Sequence, residues 1–133
     1  MHKRRKPKDQ GERGSATVEF ALVLPLVLVM ALALVQVGLL VKDQIVVEES
    51  ARAGARQAAV SVDDQEAVQA ARDAAVSLDP DRLEVSVDRE GGSGSAVTVT
   101  VIYHAPIDIP LLSWLFPDAV DLGGGAIMRQ EVG

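Results

Sequence analysis

No cysteine occurs at any of the 133 positions. That excludes a disulfide framework, thiolate metal ligands and thiol catalysis. Aromatic residues are nearly as scarce, with one Trp, one Tyr and two Phe. A small domain without staples and short of large side chains leans on partners for part of its stability. Histidine is limited to His2 and His104. One histidine among scattered carboxylates does not make a metal site, and His104 reads as a strand-end or loop residue. The glycine runs carry no phosphate-loop chemistry: GGSG lacks the Lys-Ser/Thr that would follow it, and DLGGG is a bare run. Asp63-Asp64 and the Asp79/Asp81 pair are accounted for by helix caps and turns. No catalytic residue, metal or cofactor is expected.

Basic residues are also rare once the N-terminus is passed. The first fourteen residues hold six basic and two acidic side chains, a net +4, and the remainder seven and seventeen, a net −10. Phosphate contacts need clustered Lys and Arg, so the acidic remainder does not suit nucleic acid. The basic tail suits an anionic surface.

What the sequence has in abundance is one apolar run. From Phe20 to Val41 there are 22 residues without a charge, interrupted in their apolar composition only by Pro25, Gln36 and Gly38. As a helix the run extends roughly 33 Å, enough for a bilayer core. The competing reading, a buried core helix, needs more surrounding chain than this protein has. The basic cluster before the run predicts a cytoplasmic N-terminus, with the rest outside. The expected organisation is a disordered basic leader over 1–14, a transmembrane helix over 15–41, and an extracytoplasmic α+β domain over 42–133.

The helical pattern continues past the run, with a small-residue stripe at Val47, Ala51, Ala55, Ala58 and Val62. Gly54 would permit close approach of a neighbour. Asp63 and Glu66 resemble a capping box opening a second helix, with Val68, Ala71, Ala75 and Leu78 on one side and Asp79-Pro80 as its end. The period then becomes two. Leu83, Val85 and Val87 alternate with polar residues, as do Val97, Val99, Val101 and Tyr103, and the glycine-rich EGGSGS between them predicts a β-hairpin. A third strand is expected from Val120 to Arg129, with Gly123, Gly124 and Gly125 marking a bend or bulge. In PIDIPLLSWLFPD the prolines forbid a regular strand. Trp114 and Phe116 are expected to cover the hairpin, with a subunit contact as the lesser alternative. The fold class is α+β: a long N-terminal transmembrane helix extending into an outer helix, a second short helix, then a hairpin or three-stranded antiparallel sheet.

The junction RGSATVEFALVLP carries the functional signal. Gly14 precedes Ser15, Glu19 is the fifth residue after Gly14, and Phe20 starts the apolar run. A peptidase at the membrane face needs a slim, flexible residue at its cut, and Gly14 has no side chain to obstruct it. Cleavage there would remove the basic leader, keep the helix and create an α-amino group on Ser15. A lone Glu19 carboxylate at the apolar boundary is unfavourable unless a nearby ammonium compensates it.

This order resembles the prepilin signal. More narrowly, VEFALVLP, the uncharged run and SARAGARQAA resemble the TadE-like family, pilin-like minor components of tight-adherence (Flp) pilus systems, over residues 12–60. The resemblance implies leader cleavage between Gly14 and Ser15 by a prepilin-type peptidase. It also implies an assembly-register role for Glu19 opposite an adjacent subunit's N-terminus. The implied partners are other pilus-system membrane subunits and the lipid bilayer, in a bacterial inner membrane.

Other readings of the same residues stand beside this one. Taken alone, Glu19 is favoured near a helix N-terminus by the macrodipole, and Gly14 is linker. Ala31-Leu32-Ala33 fits a conventional secretory cleavage pattern, but the chain stays apolar from Leu34 to Val41, as a retained anchor does. Pro25 leaves the carbonyl of Ala21 without its helical donor. That predicts a kink, or a local loosening that helps the helix leave the bilayer for a filament. Gln36 and Gly38 are candidates for a helix-packing face. An unprocessed membrane-anchored binding module is the alternative function.

Overall fold

The computed structural model describes residues 10–110 and 113–133. In chain order the elements are α1 (Gln10–Val60), α2 (Asp64–Ala74), a 3-10 turn (Pro80–Arg82), β1 (Leu83–Arg89), β2 (Ala96–Pro106) and β3 (Ala119–Arg129). Two compact units divide at Val35/Gln36. The α+β class and the three-stranded antiparallel sheet agree with the reading of the sequence.

In the first unit the only described element is helix. It begins at Gln10 rather than after Gly14, so residues 10–14, expected to be disordered, are helical, while residues 1–9 lie outside the described part. Once a helix is nucleated, each added residue contributes a hydrogen bond, and no proline after Pro7 stops propagation toward the N-terminus. Pro25 lies inside α1, which is assigned as one helix across it. None of the most apolar 18-residue window of α1 is buried, and its mean hydropathy is 2.7.

The second unit, Gln36–Gly133, is a two-layer domain. The sheet order is β1-β2-β3 with both pairs antiparallel. Along β2, Val97, Val99, Val101, Tyr103 and Ala105 are buried while the intervening residues are only partly covered. The later turns of α1, together with α2, pack on that buried face. Val47, Ala51, Ala55 and Ala58 are fully buried, as the stripe predicts. Val62, the stripe's last expected member, is exposed because α1 has already ended at Val60.

Small side chains let these layers approach closely. A Cβ on Gly54 would lie 2.9 Å from Val99 Cγ1 and 3.1 Å from Ala71 Cβ. A Cβ on Gly124 would lie 3.2 Å from both the Cα and the N of Glu48. The glycine run therefore serves packing instead of a bulge. The β2–β3 register passes through Thr100↔Gly125, Val101↔Gly124 and Ile102↔Gly123 without an extra residue, which corrects the expected bend. With period two, only Gly124 of the three faces the helix. Ser50, fully buried, donates from Oγ to the Ala71 carbonyl at 2.6 Å and ties α1 to α2.

The Asp63 cap forms on one side only. Asp63 Oδ1 accepts from the Gln65 amide at 2.9 Å, while the Asp63 amide donates to Ser61 Oγ at 3.2 Å. Glu66 does not close the reciprocal half of a box. Hydrogen bonds with Ser61 and then Gln57 hold its carboxyl below the ordinary 4.5. Helix α2 ends at Ala74, earlier than expected, and Asp79 instead caps the 3-10 turn through the Asp81 amide at 3.0 Å.

At the far end of α1, Arg89 gathers the carbonyl groups that a helix terminus leaves without partners. Its guanidinium donates to the Ala58 carbonyl at 3.0 Å and the Ser61 carbonyl at 2.9 Å. It also donates to Asp64 Oδ1 at 2.7 Å and Gln130 Oε1 at 2.6 Å. The Glu131 amide completes the cap on the Ala59 carbonyl at 2.7 Å.

The crossover 107–118 corrects one further expectation. Trp114 is 80% exposed and Leu115 60%, so Trp114 does not cover the hairpin, while Phe116 is 39% exposed. Alanines and valines from α1 and α2 already fill that face.

Candidate functional site

The residues singled out by the sequence lie along the first half of α1. Gly14 and Ser15 are helical and exposed, and a Cβ on Gly14 would meet nothing within 4 Å. Thr17 Oγ1 donates back to the Arg13 carbonyl at 2.9 Å, so the helix continues across the junction. Opening that peptide to a peptidase requires local unwinding, which two nearby glycines, Gly11 and Gly14, favour. Glu19 is exposed and stands four residues after Ser15, one turn along the same face or about 6 Å of axial rise. Pro25 is also exposed, 1.5 turns or so further on. Among the described residues Glu19 has no ion-pair partner, which leaves its carboxylate available to another chain.

Gln36 and Gly38, the proposed packing pair, separate in role. Gln36 Nε2 donates to the Pro106 carbonyl at 3.2 Å, inside its own domain. Gly38 is exposed, with open space around it.

The sheet assembles a second polar constellation that the sequence did not expose. His104 pairs directly with Asp121 across β2 and β3, and Glu84 lies diagonally across β1. All three point away from the helices. His104 Nδ1 is 2.5 Å from Asp121 Oδ1, and Nε2 is 3.1 Å from Glu84 Oε1. The Asp121 hydrogen bond first, and the Glu84 hydrogen bond second, raise the imidazole above its ordinary 6.5. A carboxylate on each ring nitrogen favours the protonated imidazolium, which can donate to both. The group acts as a three-strand clamp. Among the described residues no group of His, Asp or Glu is arranged to hold a metal ion. All three residues occupy outward positions of alternating strands. That was the available signal, but their meeting depends on a register the sequence left open.

An exposed apolar helix long enough to cross a bilayer precedes a small α+β domain, an arrangement that suggests a membrane-anchored protein. The comparison with protein families is specific on this point. Residues 14–56 match the family model described as TadE-like protein, so the chain carries a TadE-like segment that includes Gly14, Ser15, Glu19 and Pro25. Such a segment, with the apolar helix, suggests membrane anchoring and association with a Tad pilus. Searches of curated proteins and of solved structures gave no match.

Proposed function

We propose that this protein is a TadE-type membrane subunit acting in assembly of a tight-adherence (Flp-type) pilus, and that it works by helix–helix association rather than catalysis. Its leader is removed between Gly14 and Ser15 by a prepilin-type peptidase at the cytoplasmic face of a bacterial inner membrane. The domain beyond Val41 lies outside. The observation that carries this reading is the Gly14-Ser15 junction with Glu19 one turn on, opening an apolar helix with no buried window, all within the family match. After cleavage, the new ammonium of one subunit and Glu19 of its neighbour would set the axial register of packed helices.

A cut after Ala33 is the competing processing event. It would keep the Gln36–Gly133 unit whole but leave Leu34, Val35, Val37, Leu39 and Val41 as an exposed apolar start, each at least 49% uncovered. Mass spectrometry of the N-terminal peptide, from cells with and without their prepilin peptidase, tests the proposal. Ser15 should be the first residue in the former only, and Gly14→Leu should retain the leader. An N-terminus at Leu34 would support the secretory alternative. An intact leader in both strains would leave the unprocessed anchored module.

A further inference from the structure

One end of the Gln36–Gly133 domain lies beside its earliest helical turns, and an apolar loop hangs from that end. Contacts between the sheet and α1 run in order along the helix. The Glu131 amide meets the Ala59 carbonyl, Val99 meets Gly54, and Gly124 meets Glu48. Further toward the N-terminus, Gln44 Nε2 donates to the Gly123 carbonyl at 2.8 Å and Gln36 Nε2 to the Pro106 carbonyl at 3.2 Å. The end of β2 and the start of β3 therefore lie beside the earliest turns of the domain's helix. Gln36 is inside the uncharged run, six residues before Lys42, which is about 9 Å of helix.

The loop 107–118 joins those two strand ends. Its neck is closed by the Ile107 amide on the Asp118 carbonyl at 3.0 Å, and Ile109 is buried. Beyond the neck, Trp114, Leu115 and Phe116 are exposed in sequence. Two of the chain's four aromatic residues lie on this tip, and Trp114, at 80% exposure, is left largely uncovered. Asp108 and Asp118, both exposed, sit at the neck.

We infer that Trp114, Leu115 and Phe116 insert into the outer interfacial layer of the same bilayer that α1 crosses, as a second membrane contact. This rests on the reading of Phe20–Val41 as a span with the domain outside. Trp is enriched at membrane–water interfaces because its ring is apolar while its N–H seeks a polar partner. An exposed apolar patch of this kind needs a partner. The loop's attachment beside a residue of the apolar run makes lipid the partner within reach. The acidic neck favours a zwitterionic surface over an anionic one.

Trp114 is the only tryptophan, so its fluorescence reports the loop directly. The full chain is reconstituted into phosphatidylcholine vesicles, with and without lipid brominated near the headgroup end of its chains. Blue-side emission, loss of intensity with brominated lipid and protection from acrylamide are expected. Leu115→Asp with Phe116→Asp, both at exposed sites, should move the emission to the red and restore acrylamide quenching. Emission indifferent to bromine would overturn the inference in either of two forms. Open acrylamide access means a loop in water, and shielding without bromine quenching means a protein partner or second copy covers it. Co-flotation of protein with vesicles separates the two levels: a chain that floats with Trp114 in water refutes the loop contact alone, and a chain that does not float refutes the span as well.

Discussion

Arg89 and Gln130 come from opposite edges of the sheet, and their side chains meet at 2.6 Å between guanidinium and amide oxygen. Gln130 is 3% exposed and uses its own Nε2 on the Gly91 carbonyl at 2.7 Å. The pair locks the end of α1 to the hairpin loop and to the residue following β3.

Removing Arg89 leaves the Ala58 and Ser61 carbonyls and the Gln130 oxygen without their donor. Arg89→Ala is expected to destabilise the C-terminal domain by about 2–4 kcal/mol. Arg89→Lys should recover only part of this, because an ammonium cannot reproduce the planar fork. Hydrogen exchange of the β1–β3 amides in the full chain in detergent reads the effect. Unchanged protection in Arg89→Ala would contradict the capping role.

The two close glycines make a contrasting set. Gly54→Val and Gly124→Val push side chains into Val99, Ala71 and the backbone of Glu48, and overpacking of this kind costs about 1–3 kcal/mol or more. Gly123→Ala faces open space and should be nearly silent. Thermal unfolding of the three variants separates them, and equal losses would mean that the Gly124 approach is not what constrains β3.

Stability should depend on pH through His104. Its folded-state value is raised above 6.5, so protons bind the folded form more tightly than the unfolded one. The contribution is complete below the unfolded value and is lost as pH rises through the raised folded value. The stability of the C-terminal domain is therefore expected to fall over that window, and His104→Gln should flatten the fall. NMR titration of the His104 ring measures the raised value directly. A value at or below 6.5 would remove the effect.

Glu19 is predicted to matter between chains and not within one. Glu19→Ala should leave the C-terminal domain's stability unchanged and be cleaved normally, while its incorporation into assemblies drops several-fold. Gln at this position should behave like Ala if charge pairing, rather than hydrogen bonding alone, sets the register. Normal assembly by Glu19→Ala, followed by co-purification with other pilus subunits, would refute that role.

Patterns governed by local periodicity were legible in the sequence. Val47, Ala51, Ala55 and Ala58 identified their buried face by helical spacing, and Val97 through Tyr103 did so by alternation. Gly54 declared a close approach because a glycine amid an alanine stripe has few other uses. Features set by partners far along the chain were not legible. The role of Arg89 had no local signal, since its acceptors lie 25 to 41 residues away, around the end of α1, at the start of α2 and beyond β3. His104 required the register of both strand pairs, and its two connecting loops do not fix that. Gly123–Gly125 looked like a break because the helix backbone that makes Gly124 necessary was not visible locally. Hydrophobicity alone suggested that Trp114 covers the hairpin, although small residues already fill that face. For the junction, the order of residues 14–20 supplied the signal, and the fold adds that this stretch is helical.

The C-terminal domain has no first helix of its own to give up. Val47 to Ala58 belong to the helix that begins at Gln10, so a truncation placed at Lys42 would cut that helix just ahead of its buried face. A soluble fragment engineered for study should start upstream of Gln36, inside the greasy stretch, and will need a mild amphiphile to stay dispersed.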